Sequence, residues 1–383
     1  MSAAAVRPAD AALYGGFLLN GVVSVLLGPV IPELRFAWGV TPATAASLFV
    51  AQFAFSALGA VVASFDVRRS LVCGYGAIAV GLTILATGEW SLARLAMAAV
   101  GLGLGLTIPA TNLAVAHRNP LRRGAALATL NLTWGAGAMA CLLVFAALRG
   151  RLPATAALWG LAAAAVVASA AAAWAVRNAS PPPAAEPAVA PRFGFLLLVA
   201  AMLFLYVGSE STMGGWLVEL ADQLGGERTA VSMLVGWSFW GAILAGRASA
   251  SVLLARVSEP ALYKASLALA GAGTLTVLLA DSRTGVAAGA LAAGAGMAPL
   301  FPLTISLLTA RTASTLSRGT GWVFACGGVG GAVLPWLAGQ VTDGDAGPSR
   351  GFAVPLAGMA LLAVLYALHR FTAREDGEEP LTS

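Results

Sequence analysis

Residues 177–192 read RNASPPPAAEPAVAPR, and five of these sixteen residues are proline: Pro181, Pro182, Pro183, Pro187 and Pro191. Proline fixes φ and lacks the amide hydrogen a helix needs, so the segment reads as an extended linker. On both sides of it the chain is apolar. Six runs of about twenty residues precede it and six follow, each long enough to cross a hydrocarbon core of roughly 30 Å. They lie near residues 11–32, 43–65, 70–88, 91–116, 124–148 and 154–176. The second set lies near 194–220, 229–254, 261–280, 285–309, 319–341 and 351–371. This spacing predicts an all-α membrane protein with twelve transmembrane helices in two six-helix halves. The halves are 1–176 and 193–383, the latter ending in a short cytoplasmic tail, and 177–192 joins them.

Composition points the same way. Of the 383 residues 59% are hydrophobic and only 10% charged, with a mean hydropathy of +0.84. Soluble domains carry about 25% charged residues, so this chain has too few charges to cover itself in water. Its 45 glycines suit close helix packing in a bilayer. A net charge of +5 and an isoelectric point near 9.6 do not indicate nucleic acid, because no basic stripe with interleaved aromatics exists. The basic residues instead fall between apolar runs. With the amino terminus placed in the cytoplasm, 15 of the 22 lie on the inner side, which predicts an inner (plasma) membrane protein with both termini cytoplasmic. Cys73, Cys141 and Cys326 all sit in apolar runs and read as small packing residues. The first ten residues lack the pattern of a cleavable signal, so the first helix is expected to remain as an anchor.

An internal repeat supports the division. A shift of 193 residues pairs Gly15 with Gly208, Gly21 with Gly214, Asp66 with Glu259, Gly101 with Gly294, and Gly103 with Gly296. It also pairs Pro109 with Pro302, Thr111 with Thr304, Gly135 with Gly328, and Gly137 with Gly330. Agreement at one offset in four spans suggests duplicated halves of parallel topology.

These residues resemble the major facilitator superfamily along essentially the whole chain. After the second span the sequence GAVVASFDVRRSL, with Gly59, Asp66, Arg68 and Arg69, is similar to the family's Gly-x-x-x-Asp-Arg-x-Gly-Arg-Arg loop in degenerate form. Gly246-Arg247 resembles its second-half echo. The resemblance implies that Asp66, Arg68, Arg69 and Arg247 form a cytoplasmic gating latch. Arg94 followed by GLGLGLTIPATN, and GVGGAVLPWLAG from Gly328 to Gly339, resemble two further signatures. Tyr206-Val207-Gly208-Ser209-Glu210, Met213-Gly214-Gly215-Trp216, Gly28-Pro29 and Pro32 resemble the fucose–proton symporter branch and its sodium/glucose-transporter-like relatives. The fucose symporters have acids in spans 1 and 4. Here span 1 has only Asn20, and span 4 has no acid.

Of the 17 acidic residues, Glu210 alone falls near the middle of a span. An ionised carboxylate is costly in hydrocarbon, so Glu210 is the candidate proton-coupling group; the bland alternative is an acid held in helix packing. Asn20, Gln52, Asn131, Trp134, Tyr206 and Trp237 are candidate solute-binding residues, since amides suit hydroxyl networks and aromatic faces suit the C–H side of a sugar ring. Interhelical hydrogen bonds and interfacial anchoring are the alternatives. There is no Ser-His-Asp set, Cys/His cluster or phosphate-cradling loop, and no enzyme activity is expected. The expected function is secondary active transport of a small polar solute, with a sugar as the expected class, by rocker-switch alternating access. The coupling ion is expected to be a proton, with sodium as the other candidate, and no cofactor is called for. The expected partners are the solute and the lipid bilayer, with no nucleic acid, and the expected state is a monomer. The rival is a drug or metabolite efflux antiporter of the same superfamily. Those antiporters carry Gly-x-x-x-Gly-Pro-x-x-Gly-Gly in span 5, whereas NLTWGAGAMACLL (131–143) has the glycines without the proline.

Overall fold

The computed structural model describes residues 8–63, 66–119, 123–177, 193–226, 229–254, 256–310, 321–343 and 347–375. The linker reading at 177–192 falls outside these beyond Arg177. Among the described residues all regular structure is helical. The first span is α1 (Pro8–Ser24) with α2 (Leu27–Trp38), and α3 (Pro42–Ala45) leads into α4 (Ser47–Val62). Then come α5 (Val67–Ala86), α6 (Trp90–Arg118), α7 (Arg123–Leu148) and α8 (Ala154–Ala175). The second set is α9 (Phe193–Gly225), α10 (Ala230–Leu254), α11 (Glu259–Leu279), α12 (Arg283–Met297) with α13 (Leu300–Ala310), α14 (Gly321–Thr342) and α15 (Ala353–Glu375). Ten of the segments are long and apolar enough to span a membrane, and the bent pair α1–α2 makes an eleventh. The 25-residue α10, whose apolar stretch Arg247 interrupts, falls where the sequence places the eighth of twelve spans.

Two compact units divide the described residues. One takes those of Met1–Val40, Ser47–Ala184 and Thr229–Leu234, the other those of Thr41–Ala46, Ala185–Arg228 and Val235–Ser383. In the first, α6 packs on α4 and α5, α5 on α8, and α1 on α7 and α8. In the second, α14 and α15 pack on α9, and α11 packs on α12 and α15. The short α3 belongs to this second unit, with Gln340 Nε2 donating to Ala43 O at 3.1 Å.

Local chemistry explains the breaks. α1 and α2 meet at 44° because Pro29 has no N–H to offer the Val25 carbonyl. That carbonyl instead accepts from Gly28 N at 3.1 Å, one residue early. Ser24 Oγ, bonded back to Asn20 O at 2.6 Å, adds to the bend. Asp66 starts α5, its carboxylate accepting from Arg69 N at 3.0 Å.

The 193-residue repeat is visible as packing. A methyl at Gly101 would enter the backbone of Gln52 on α4, and one at Gly294 the backbone of Phe239 on α10. Gly137 lies in the same way against Leu18 on α1, and Gly330 against Phe204 on α9. In hydrocarbon, helices gain no hydrophobic drive from meeting one another, so such backbone approach carries the association. Large apolar side chains remain exposed on the outer helices, among them Val61, Trp159, Val167 and Leu279. In water they would be a liability; against lipid they are solvated. The chain is a multi-pass membrane protein.

The charge asymmetry yields a direct test of orientation. A cysteine introduced at any of residues 181–191 is expected to react with an impermeant maleimide only after the cytoplasmic face is opened. Labelling in intact cells would reverse the proposed cytoplasmic placement of the linker.

Candidate functional site

The chemistry concentrates in two places, one in each unit. In the second unit Tyr206 and Glu210, four residues apart, share a face of α9, and Arg247 reaches them from α10. Arg247 Nη2 donates to Glu210 Oε1 at 2.7 Å and to the Tyr206 hydroxyl at 3.2 Å. The same hydroxyl donates to Glu210 Oε1 at 3.0 Å, closing a three-membered ring of charge-assisted bonds. The Tyr206 side chain is fully buried, with Phe301 packed at 5.8 Å between ring centroids. The Glu210 side chain is 13% exposed and that of Arg247 24%. The pair is thus reachable from one side while held from the other.

This arrangement changes the reading of Arg247. Expected in the cytoplasmic latch, it is instead the ion partner of Glu210 inside the bundle. Seven residues of α10 continue beyond it, and an acid within a span draws the nearest cation inward. Asp66 pairs with Arg69 at 3.4 Å, with their side chains 46% and 87% exposed, as a local cap at the start of α5. Arg68 is exposed beside them. Glu210 is also not alone in burial, since Glu219 and Asp222 are buried farther along α9. The helix runs to Gly225, past the end at 220 read from the sequence, and this extension encloses Asp222. Asp10, buried at the start of α1, pairs with Arg118 at the end of α6.

In the first unit the polar groups gather at the α1–α2 bend. Asn20 is fully buried, its Oδ1 accepting from Thr107 Oγ1 at 3.1 Å. Gln52 Nε2 donates to Ser24 O at 3.3 Å, and Trp134 Nε1 donates to Ser24 Oγ at 3.3 Å. Gln52 and Trp134 therefore meet at Ser24, whose hydroxyl bonds the Asn20 backbone carbonyl. Gln52 Oε1 is buried and has no hydrogen-bond partner among the described residues, whereas the buried Asn20 amide lies within hydrogen-bonding reach of the Tyr75 hydroxyl. The Gln52 acceptor is thus left open, where a closed packing network would pair it. Asn131 stands apart: it is exposed, and its Nδ2 bonds its own helix at Leu127 O, 3.0 Å away. Trp237, on α10, has a buried Nε1 without a partner among the described residues.

Ser24 and Thr107 complete the polar cluster but do not stand out in the sequence. Hydroxyls in a span ordinarily bond the carbonyl four residues back, as Thr107 also does to Gly103 O at 2.9 Å. Among the described residues no group of three or more histidine, cysteine or acidic side chains could hold a metal.

Comparison with known proteins agrees with this architecture. The family model described as Major Facilitator Superfamily matches residues 13–200. The Saccharomyces cerevisiae protein named "Bypass of stop codon protein 6" is 33% identical over 159 residues, 38% of this chain. The match spans about a third of that relative's length, 32%. The crystal structure of the human organic anion transporter MFSD10 (TETRAN) superposes with a TM-score of 0.65 at 18% identity, covering 94% of this chain and 99% of that one. FucP in its outward conformation superposes with a TM-score of 0.61 at 15% identity, over 94% and 99% of the two chains. Residues 13–200, just under half of the chain, thus match the major facilitator superfamily, and nearly its whole length shares the fold of two solved transporters.

Proposed function

We propose that the chain couples movement of a small polar solute to protons through the Glu210–Arg247–Tyr206 cluster. The observation that carries the proposal is the 2.7 Å contact between Glu210 and Arg247 inside the bundle. As a carboxylate, Glu210 compensates the guanidinium. Once protonated it is neutral and holds Arg247 only weakly, so proton uptake releases a cation within the membrane. The Tyr206 hydroxyl, bonded to both, keeps the two groups aligned as the charge changes. A cluster with two electrostatic states supplies what alternating access needs from its coupling group. The protein would act as a monomer in an inner membrane, with the proton, or sodium in its place, as the only co-substrate.

The open Gln52 acceptor, with the Asn20 amide on the same bend, supports a neutral hydroxylated solute such as a sugar. Arg247 favours a second reading, an organic anion whose carboxylate takes the place of Glu210 on the guanidinium; MFSD10 is described as an organic anion transporter. Uptake into proteoliposomes across sugars, organic anions and cationic drugs, with and without a pH gradient, separates these. Gradient-dependent movement of a sugar sustains the first reading, and movement of anions alone replaces it with the second. Movement of cationic drugs alone returns the efflux antiporter. For the transported solute, Asn20→Ala and Gln52→Ala are each expected to weaken affinity about tenfold, the worth of one hydrogen bond at roughly 1.5 kcal/mol. Equal affinity in both variants would assign these amides to helix packing.

A further inference from the structure

A groove of about 580 Å³ runs between α11 and α15, and none of the Tyr206, Glu210 and Arg247 side chains lines it. Its walls are apolar, with the small residues Ala268, Gly271, Ala360 and Ala363 setting its depth. Its one charged end is formed by Lys264 and Arg370. Tyr366 lines it beside them and is stacked on Tyr263 at 4.0 Å between centroids. Neither cation has an ion-pair partner among the described residues. Glu259, the nearest acid along α11, accepts instead from Ser306 Oγ at 3.3 Å.

We infer that this groove binds one acidic glycerophospholipid, its phosphate between Lys264 and Arg370 and an acyl chain along the alanine-rich wall. The lining along α15 runs from Leu356 to Arg370, about 21 Å of helix at 1.5 Å per residue. One leaflet of hydrocarbon is about 15 Å deep. The groove therefore spans a leaflet and ends in positive charge where a headgroup lies. A zwitterionic lipid brings a cation of its own beside its phosphate, so its headgroup adds no net negative charge to answer Lys264 and Arg370. A transmembrane helix would need an apolar seam at that end rather than two charges. Because α11 begins and α15 ends at the charged end, the positive-inside orientation puts the headgroup in the cytoplasmic leaflet, where acidic lipids attract basic side chains.

The test uses the full-length protein, delipidated in detergent and titrated with phosphatidylglycerol or phosphatidylcholine under native mass spectrometry. Wild type is expected to retain one phosphatidylglycerol in clear preference to phosphatidylcholine. At about 1 kcal/mol for each basic group near a membrane surface, Lys264→Ala/Arg370→Ala is expected to weaken that binding about thirtyfold. Lys264→Arg/Arg370→Lys keeps both charges and is expected to keep the lipid. Ala363→Phe, which fills the groove without touching charge, is expected to lose it. Thermal melting of each variant identifies any loss that comes from misfolding, and the charge-retaining and groove-filling variants then decide. Equal retention of phosphatidylglycerol in the double alanine variant, equal binding of both lipids by wild type, or a second protein chain cross-linked into the groove would each overturn the assignment.

Discussion

Replacing Glu210 with Gln is expected to abolish accumulation against a gradient while leaving solute exchange within a few-fold of wild type. Gln has the size of Glu and still accepts from Tyr206 and Arg247, but it neither gains nor loses a proton. It therefore fixes position 210 in the uncharged form of the protonated acid. Binding and exchange need no net proton movement, whereas accumulation does. With one proton per solute, a gradient of one pH unit supplies about 1.4 kcal/mol, enough for roughly tenfold accumulation. In Glu210→Gln that ratio should fall to about one, and a proton-sensitive dye should report no solute-dependent proton entry. Tenfold accumulation in the variant would remove the carboxylate from the coupling step and make it a structural partner of Arg247.

Removing Arg247 should produce the largest loss of stability. Arg247→Ala leaves Glu210, 13% exposed, facing Tyr206 without a compensating charge. Breaking a buried ion pair from one side costs about 3–5 kcal/mol. The penalty should appear as a lower unfolding midpoint in detergent near neutral pH. Combining Arg247→Ala with Glu210→Gln is expected to recover most of the loss, because the orphan charge is gone. Strict additivity of the two substitutions, measured as a double-mutant cycle, would show that the 2.7 Å contact contributes nothing to stability.

The architecture was legible because it is written in two strong signals, long apolar runs and glycines at one repeat offset. Gly101 and Gly294, matched by that offset, touch corresponding second helices of their units, as a duplicated sequence requires. Glu210 was legible for an energetic reason, since an acid in the middle of a span is rare. Arg247 was not. Gly246-Arg247 resembles a loop motif, and linear spacing does not reveal that the side chain reaches Glu210 across a helix pair. Gln52 and Trp134 are drawn together by Ser24, a residue too ordinary in a span to be noticed. Asn131, only three residues before Trp134, faces away and bonds its own helix. Three residues amount to most of a helical turn, but the remaining offset of about 60° leaves the two side chains in different surroundings.

The placement of two short segments bears on biosynthesis. Thr229–Leu234 belongs to the first unit and Thr41–Ala46 to the second. Arg149, paired with Glu33 at 3.1 Å, donates to Thr229 O at 3.0 Å, and Gly339 closes on Ala46. When the ribosome has made the first six spans, the first unit therefore still lacks residues encoded some fifty codons downstream. The second unit, in turn, waits on a segment inserted near the beginning of translation. Neither unit reaches its final form by vectorial insertion alone, so the last stage of maturation takes place after α10 has left the translocon. A fragment cut at the proline-rich junction would carry each unit with one piece missing, and the two fragments would regain those pieces only when produced together.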